Sequence, residues 1–197
     1  MSKLDDFFDQ SIYVIDTETT GLDGCPKDVV VDIAICKTDL RKGTVENVYS
    51  SIVGYDVSKW DNGRKNAWIF QNTDLTLDAV ASAPDASKVA ADVRNILKDK
   101  NVSTFNTGFD LKKFLYREPW SLRGIIRESK CIMIASRDVC KLPGLYEEYK
   151  WPKLDEAYTM LVEGDPADIK GNQTHRALSD AVMASHILIS LYKRGRY

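Results

Sequence analysis

The sequence is poor in cysteine, and the cysteines that it has are not spaced like a zinc module. No two of its four cysteines form a C-x-x-C pair, the spacing that typifies small zinc sites and redox motifs. Small secreted domains are usually dense in disulfides, whereas the spacing here predicts reduced and mostly buried thiols. The residues concerned are Cys25, Cys36, Cys131 and Cys140.

The chain also lacks a long apolar run, an excess of basic residues and any repeated tract. Nowhere do about 18 apolar residues follow one another, as a membrane-spanning helix requires. The first residues, MSKLDDFFDQ, carry acids where a signal peptide needs an apolar segment. We therefore expect a cytoplasmic protein with no membrane contact. The net charge of −2 argues against non-specific coating of nucleic acid but allows local basic patches.

The composition and the order of apolar patterns predict one mixed α/β domain. The 197 residues are 44% hydrophobic and 28% charged, which is ordinary for a globular protein and suits a single domain over residues 1–197. Short β-branched runs predict strands at residues 12–15, 29–37, 44–54 and 102–105. Helical periodicity predicts helices at residues 76–82, 86–98, 111–115, 154–162 and 176–193. Residues 55–72 show no clean period and are predicted to be irregular.

Two acids stand at the end of the first predicted strand. Asp16 and Glu18 follow residues 12–15 directly, and side chains two apart on a strand point to the same face. Both carboxylates therefore leave the strand together, which suits a divalent cation. The turn that follows lacks bulk, so backbone amides and hydroxyls can approach a ligand there. That turn begins with Thr19, Thr20 and Gly21.

Two further acids occur within largely apolar helical sequence. They are Asp110 in FNTGFDLKKFL and Asp180 in THRALSDAVMAS. A carboxylate in such surroundings is unfavourable unless it is paired or binds a cation. Four converging carboxylates would repel one another unless divalent cations neutralised them, and oxygen ligands suit Mg²⁺ or Mn²⁺. The residues alone thus predict an acidic metal site.

Three segments, IDTETTGL, NTGFDLKKFL and HRALSDA, resemble in their order and spacing the motifs of the DEDDh 3′→5′ exonucleases. This DnaQ-like family includes polymerase proofreading subunits, ribonuclease T and oligoribonuclease. The resemblance spans nearly the whole chain and implies the ribonuclease H-like α/β fold, a mixed five-stranded sheet flanked by helices. It implies that two metal ions are held by Asp16, Glu18, Asp110 and Asp180. It also makes His175 the general base, which places the chain in the histidine branch of the family.

The resemblance implies a function as well as a fold. We expect a metal-dependent exonuclease that releases nucleoside 5′-monophosphates from the 3′ end of single-stranded nucleic acid, with DNA favoured. The implied substrate-binding residues are Thr17, Thr19, Thr20, Gly21, Leu22, Asn106 and Phe109. An exoribonuclease in RNA turnover remains an alternative, as does a catalytically silent module that binds nucleic acid or a polymerase. A DNA polymerase or a second copy of the chain is a possible partner.

The chain departs from many relatives at two places, and two local features stay open. Residues 70–76 read FQNTDLT where many relatives have a histidine-glycine-isoleucine stretch, and Cys131 stands where many have an acid. The aromatic residues within residues 55–72 either cap the core, which we favour, or stack on a base. Residues 111–130 carry six basic and two acidic residues, which form either a solvated helical face or a surface that follows phosphates. His186 is interpreted as structural.

Overall fold

Five strands form one mixed sheet in the computed structural model, which describes residues 11–162 and 176–197. The strands are β1 (Ser11–Thr19), β2 (Val30–Asp39), β3 (Thr44–Ile52), β4 (Asn101–Thr104) and β5 (Arg127–Glu128). Their order across the sheet is β3-β2-β1-β4-β5. β2 pairs antiparallel with β1 and β3, while β4 runs parallel to β1 and β5 parallel to β4. The predicted mixed five-stranded α/β sheet is confirmed.

The described helices lie on both sides of β4 in the chain. Those before β4 are a 3₁₀ turn (Val57–Lys59), α1 (Asn62–Lys65), α2 (Trp68–Asn72), α3 (Leu77–Ser82) and α4 (Ala86–Leu97). After β4 come a π-helix (Gly108–Leu115), α5 (Ile132–Cys140), α6 (Leu154–Leu161) and α7 (Ala177–Lys193). None of these described helices has the length and apolar character needed to cross a membrane.

The alternation of side chains along β1 decides which helices cover each face of the sheet. Ile15 packs with α4 and the π-helix in one core cluster, whereas Val14 packs with α5 and α7 in another. Because side chains two apart share a face, Asp16 and Glu18 lie on the face of Val14. The two acids are thus directed to the side of the sheet that α7 covers.

Small side chains allow α7 to approach β2 closely. Ala34 and Cys36 of β2 are fully buried and pack against Ala177 and Ala181 of α7. Alanine and cysteine add little bulk between the two backbones, so the first turns of α7 come near the sheet. This contact brings the segment that carries Asp180 close to β1, the neighbour of β2 in the sheet and the strand that carries the first two acids.

The prediction that residues 55–72 are irregular is wrong, because this segment contains the 3₁₀ turn, α1 and α2. Two of these short helices begin at an aspartate that accepts a hydrogen bond from the backbone. Asp56 accepts from the amide of Ser58 at 3.2 Å, and Asp61 accepts from the amide of Arg64 at 2.8 Å. Such side-chain caps stabilise a single helical turn, which is too short to show a period.

The other predicted elements agree with the structure to within a few residues at each end. Neither β5 nor α5 was predicted, and nothing in the sequence indicated that residues 108–115 form a π-helix rather than an α-helix. Asp85 caps α4 through the amide of Ser87 at 2.8 Å. The cysteines are free thiols, of which Cys25 is half-buried and the other three are buried, as predicted.

Candidate active site

Three of the predicted metal ligands meet where β1 ends against α7. One carboxylate oxygen from each of Asp16, Glu18 and Asp180 lies within 4.8 Å of the other two. Asp16 and Glu18 come from β1, and Asp180 comes from the first turn of α7. The Asp180 amide donates to the carbonyl of Arg176 at 3.3 Å, so its position depends on how the helix begins. Three converging hard oxygen donors are the ligand set that a divalent cation prefers.

Asp110 lies beside this cluster and is 4% exposed. It belongs to the π-helix, and its Oδ1 accepts a hydrogen bond from the hydroxyl of Thr17 at 2.7 Å. Of the neighbouring charges, that of Asp110 contributes most to raising the pKa of Asp16. The structure therefore gathers all four predicted acids, with Asp110 adjacent to the tight group of three.

Burial raises the pKa values of Asp16, Glu18 and Asp110, and repulsion from neighbouring acids adds to the rise for Asp16 and Glu18. The pKa of Asp16 lies well above its ordinary value because the carboxyl is buried and because Asp110, Asp180, Glu18 and Asp32 surround it. Burial, together with the charge of Asp180, raises the pKa of Glu18 to about 9. Burial raises that of Asp110 to about 6, against the hydrogen bond from Thr17. A site that repels its own charges in this way fits cations that would neutralise them.

The raised pKa values predict how the stability of the metal-free protein depends on pH. An acid whose pKa is higher in the folded than in the unfolded state favours folding below its unfolded pKa, and this contribution is lost as pH rises through the folded pKa. For Glu18 that window runs from 4.5 to about 9. We expect the melting temperature in EDTA to fall between pH 5 and pH 9, and to fall less with Mn²⁺. Thermal scans across this range that gave a flat or rising melting temperature in EDTA would contradict the electrostatic account.

The turn after β1 is held from inside by Asp28. Its Oδ2 accepts from the amide of Asp23 at 2.8 Å, and its Oδ1 accepts from the hydroxyl of Thr20 at 3.3 Å. A Cβ at Gly21 would lie 2.5 Å from Asp28 Oδ1, so this close approach requires glycine. The hydroxyl of Thr19 also donates to the carbonyl of Gly21 at 2.8 Å. These hydrogen bonds therefore fix the conformation of the turn after β1.

Leu22 and Phe109, both predicted to bind substrate, are joined by Lys113. The side chain of Leu22 is 73% exposed, and its carbonyl accepts from Lys113 Nζ at 2.7 Å. The same ammonium lies 5.9 Å from the centre of the Phe109 ring, which packs on Phe114 at 5.1 Å. Asn106 Oδ1 accepts from the Phe109 amide at 3.2 Å. The contact between Lys113 and this turn was not predicted. The sequence showed Lys113 only as one of the basic residues in 111–130.

The predicted general base, His175, lies outside the described residues. The other histidine, His186, is half-buried on α7 and meets the ring of Tyr158 edge-on at 6.4 Å. Burial lowers its pKa. These contacts support the structural role expected for His186.

The two open alternatives receive different answers. Trp60 is buried against Tyr55 and Phe70, at ring distances of 5.6 and 6.2 Å, so this aromatic residue belongs to the core as favoured. Trp68 is 57% exposed. The basic residues 111–130 do not form one helical face, because the helix ends at Leu115 and the chain then turns towards β5.

One acid near the site, Asp32, was not predicted from the sequence. This residue pairs across the sheet with Glu18 and is 2% exposed. Its Oδ2 accepts from Nε of Arg176 at 2.7 Å. The only signal in the sequence was an acid inside an apolar strand, VVVDIAI, which is a place where a carboxylate needs a partner.

A family model establishes the family of this chain. The model of the RNase T family, described as "Exonuclease", matches residues 13–188. The match covers most of the sequence, and the chain belongs to this exonuclease family, a class of nucleases. The recognition made from IDTETTGL, NTGFDLKKFL and HRALSDA is confirmed. Members of the DEDDh group use divalent metal ions, and the cluster of Asp16, Glu18 and Asp180 provides suitable oxygen ligands.

Solved structures share the fold at low sequence identity. The nuclease domain of 3′hExo, a DEDDh family member solved with rAMP bound, has a TM-score of 0.60 and 16% identity over 95% of this chain and 94% of that domain. Escherichia coli exonuclease I in complex with a dA16 oligonucleotide has a TM-score of 0.63 and 14% identity over 93% of this chain. This chain spans 41% of that exonuclease I and 61% of a full-length 3′-exonuclease that is 16% identical, with a TM-score of 0.58. No curated protein matches the sequence significantly.

Proposed function

We propose that this protein is a 3′→5′ exonuclease that removes nucleoside 5′-monophosphates from the 3′ end of single-stranded nucleic acid. The observation that carries the proposal is the meeting of Asp16, Glu18 and Asp180, with their oxygens within 4.8 Å, in a chain of the exonuclease family. Asp110 stands next to them and is buried. We favour DNA as the substrate.

The four acids would hold two divalent cations, Mg²⁺ or Mn²⁺. Their oxygen donors fit such ions, and the neighbouring acids contribute to the raised pKa values of Asp16 and Glu18, a repulsion that cations would relieve. When bound, the cations would supply a water molecule of lowered pKa and stabilise the charge on the scissile phosphate and on the leaving 3′ oxygen. His175 would accept the proton of the attacking water, since histidine has a reference pKa of about 6.5.

The turn after β1 would receive the terminal nucleotide. Leu22 would wedge against its base, because this large apolar side chain is 73% exposed and so is free to contact a ligand. Backbone near Thr17 would meet the 3′ hydroxyl, and Thr19, Thr20 and Gly21 would shape the turn. Asn106 and Phe109 would line the opposite wall of the pocket, where Lys113 already joins Phe109 to Leu22.

The proposed function predicts that the 3′ end of the nucleic acid determines whether the substrate enters the site. If the pocket encloses a terminal nucleotide, a linear strand with a 3′ hydroxyl should be degraded, whereas the same strand with a 3′ phosphate should resist and a circular strand should survive. A 5′ label should yield a ladder that shortens from the 3′ end, which gel electrophoresis would resolve. Efficient cutting of the circle would identify an endonuclease and rule out the terminal pocket.

Exoribonuclease activity is the second candidate. It is favoured by the likeness of the fold to a 3′-exonuclease solved with a histone mRNA stem-loop, at a TM-score of 0.62 and 17% identity. DNA and RNA offer the same phosphodiester, and they differ at the 2′ hydroxyl. Matched DNA and RNA oligomers of one sequence, degraded side by side, should show faster release from DNA, and the reverse order would establish the second candidate.

Three further proposals accompany the catalytic one. We propose that residues 1–197 form a single exonuclease domain, which the family match over residues 13–188 supports. We also propose a cytoplasmic location. A DNA polymerase or a second copy of this chain remains the predicted partner besides the nucleic acid.

A further inference from the structure

An ion pair between the buried Asp32 and the partly exposed Arg176 joins β2 to the start of α7. Asp32 is 2% exposed and directly faces Glu18 in the sheet. Its Oδ2 accepts from Nε of Arg176 at 2.7 Å and from the backbone amide of Ala177 at 3.3 Å. Its Oδ1 is buried, with no hydrogen-bond partner among the described residues. Burying a carboxylate is unfavourable unless it is paired and hydrogen-bonded, so these contacts stabilise Asp32 in this position.

Asp32 acts as a cap for α7, although it comes from a different element. Arg176 is the residue at the cap position of α7, and its own side chain makes no capping hydrogen bond to the helix. The first amides of a helix have no partner within the helix, and a negative charge beside them is favourable. Asp32 supplies both an acceptor and a charge by binding the amide of Ala177.

The cap lies one turn before Asp180. The Asp180 amide donates a hydrogen bond to the carbonyl of Arg176 at 3.3 Å. Arg176, which is paired with Asp32, therefore also begins the helical turn that carries Asp180. The small residues between β2 and α7 allow close approach but give little control of rotation or sliding, because they present no directional contacts. A charge-assisted hydrogen bond is directional, and it fixes the helix where packing alone would not.

We propose that Asp32 and Arg176 form a positioning pair that fixes Asp180 against Asp16 and Glu18, and thereby sets the affinity of the site for divalent cations. The inference rests on the proposed metal-dependent function. Neither residue of the pair touches the reacting atoms. Hydrogen-bonding partners that orient metal ligands typically change metal affinity or activity about 10–100-fold when they are replaced.

The test compares Mn²⁺ binding and turnover in four variants. Asp32→Asn keeps the size of the side chain but removes its charge, and we expect about 10–100-fold weaker Mn²⁺ binding, measured from the concentration needed for half of the melting shift. At saturating Mn²⁺, kcat should fall while KM for the strand stays the same, because the strand-binding residues are elsewhere. Arg176→Gln should behave alike. The double variant should be no worse than either single one, because residues that act as a unit are not additive.

Asp74→Asn is the matched control. Asp74 also contacts Arg176, at 3.2 Å, but its side chain is 71% exposed, and exposed ion pairs contribute little. Its loss leaves the Asp32–Arg176 pair intact, so Mn²⁺ binding and kcat should equal those of the wild type. If Asp32→Asn is too unstable to purify, Arg176→Lys can be measured instead. Lysine keeps the positive charge but lacks the guanidinium group, so this variant should lose less Mn²⁺ affinity than Arg176→Gln.

Two results would overturn the inference. Wild-type Mn²⁺ affinity in Asp32→Asn, with only a lower melting temperature, would make the pair a structural contact alone. Additive losses in the double variant would mean that the two residues act independently. Failure of the wild type itself to bind Mn²⁺ or to release nucleotides would instead contradict the proposed function, so the two failures are distinguishable.

Discussion

Asp16→Asn should release no detectable nucleotide from a strand that the wild-type protein degrades. An oxygen of Asp16 lies within 4.8 Å of oxygens of both Glu18 and Asp180, and Asp110 is close enough to shift its pKa. The amide keeps the size of the side chain but loses the charge that holds a hard cation. The variant should therefore bind Mn²⁺ poorly and lose its activity together with that binding.

The same substitution should leave the metal-free protein as stable as the wild type or make it more stable. Burial and the neighbouring acids raise the pKa of Asp16, so removing this group relieves repulsion in the folded state. In the wild type, Mn²⁺ at a hundredfold excess over its dissociation constant should add about 2.7 kcal/mol, or about 5–10 °C in melting temperature. Thermal scans in EDTA and in Mn²⁺ should show this shift in the wild type and little of it in the variant.

Asp92→Asn provides the control for charge alone. Asp92 lies on α4 and forms a surface ion pair with Lys88 at 2.8 Å, an interaction that contributes about 0–1 kcal/mol. This variant should keep both its activity and the full Mn²⁺ shift. An equal Mn²⁺ shift in Asp16→Asn and in the wild type would place the cations elsewhere, and the site of four carboxylates would have to be abandoned.

His175→Ala should reduce turnover by about 10²–10⁴-fold, the usual contribution of a positioned general base. The Mn²⁺ shift and the binding of a single strand should remain, because the imidazole would move a proton without holding the cation or the strand. Single-turnover rates at saturating Mn²⁺ measure the loss. The wild-type rate should also decline below about pH 6.5, where histidine becomes protonated, and the variant should lack this decline.

His186→Ala is the matched control, since it removes the second of the two histidines of the chain. The half-buried ring packs edge-on against Tyr158 at 6.4 Å, so its loss should lower the melting temperature without changing the rate at temperatures where the protein is folded. Unchanged turnover in His175→Ala would remove His175 from the mechanism. Equal losses in both variants would show that the effect is not specific to the proposed base.

The sequence predicted the elements whose pattern is long and regular. The β-branched run before Asp16 predicted β1 and the direction of its two acids, and the helical period of residues 86–98 predicted α4. The five-stranded sheet, and the prediction that Asp110 and Asp180 help to hold two metal ions, came from the resemblance to DEDDh exonucleases, whereas the residues alone predicted an acidic metal site. Periodicity alone provides no distance between residues on different elements.

The features that were missed depend on contacts between distant parts of the chain or on very short segments. The helices between Val57 and Asn72 are about one turn long, and two of them begin at a capping aspartate, so they carry no repeat to detect. In the sequence Asp32 is an isolated acid, and its partner Arg176 is identified only by their contact in the folded chain. Lys113 is likewise one of several basic residues, and only the structure shows its hydrogen bond to the carbonyl of Leu22. Only the folded chain shows these pairs.

Because Asp180 lies on α7, the activity depends on the packing of this helix against the sheet during folding. Asp16 belongs to the first described strand and Asp180 to the last described helix, and they meet only when α7 packs on the sheet. A chain still emerging from the ribosome would lack the complete set of acids even with its sheet formed, and so would a chain whose last helix had come loose. Hydrolysis would therefore begin only in fully folded molecules, and partly folded ones would pose no danger to the nucleic acids around them.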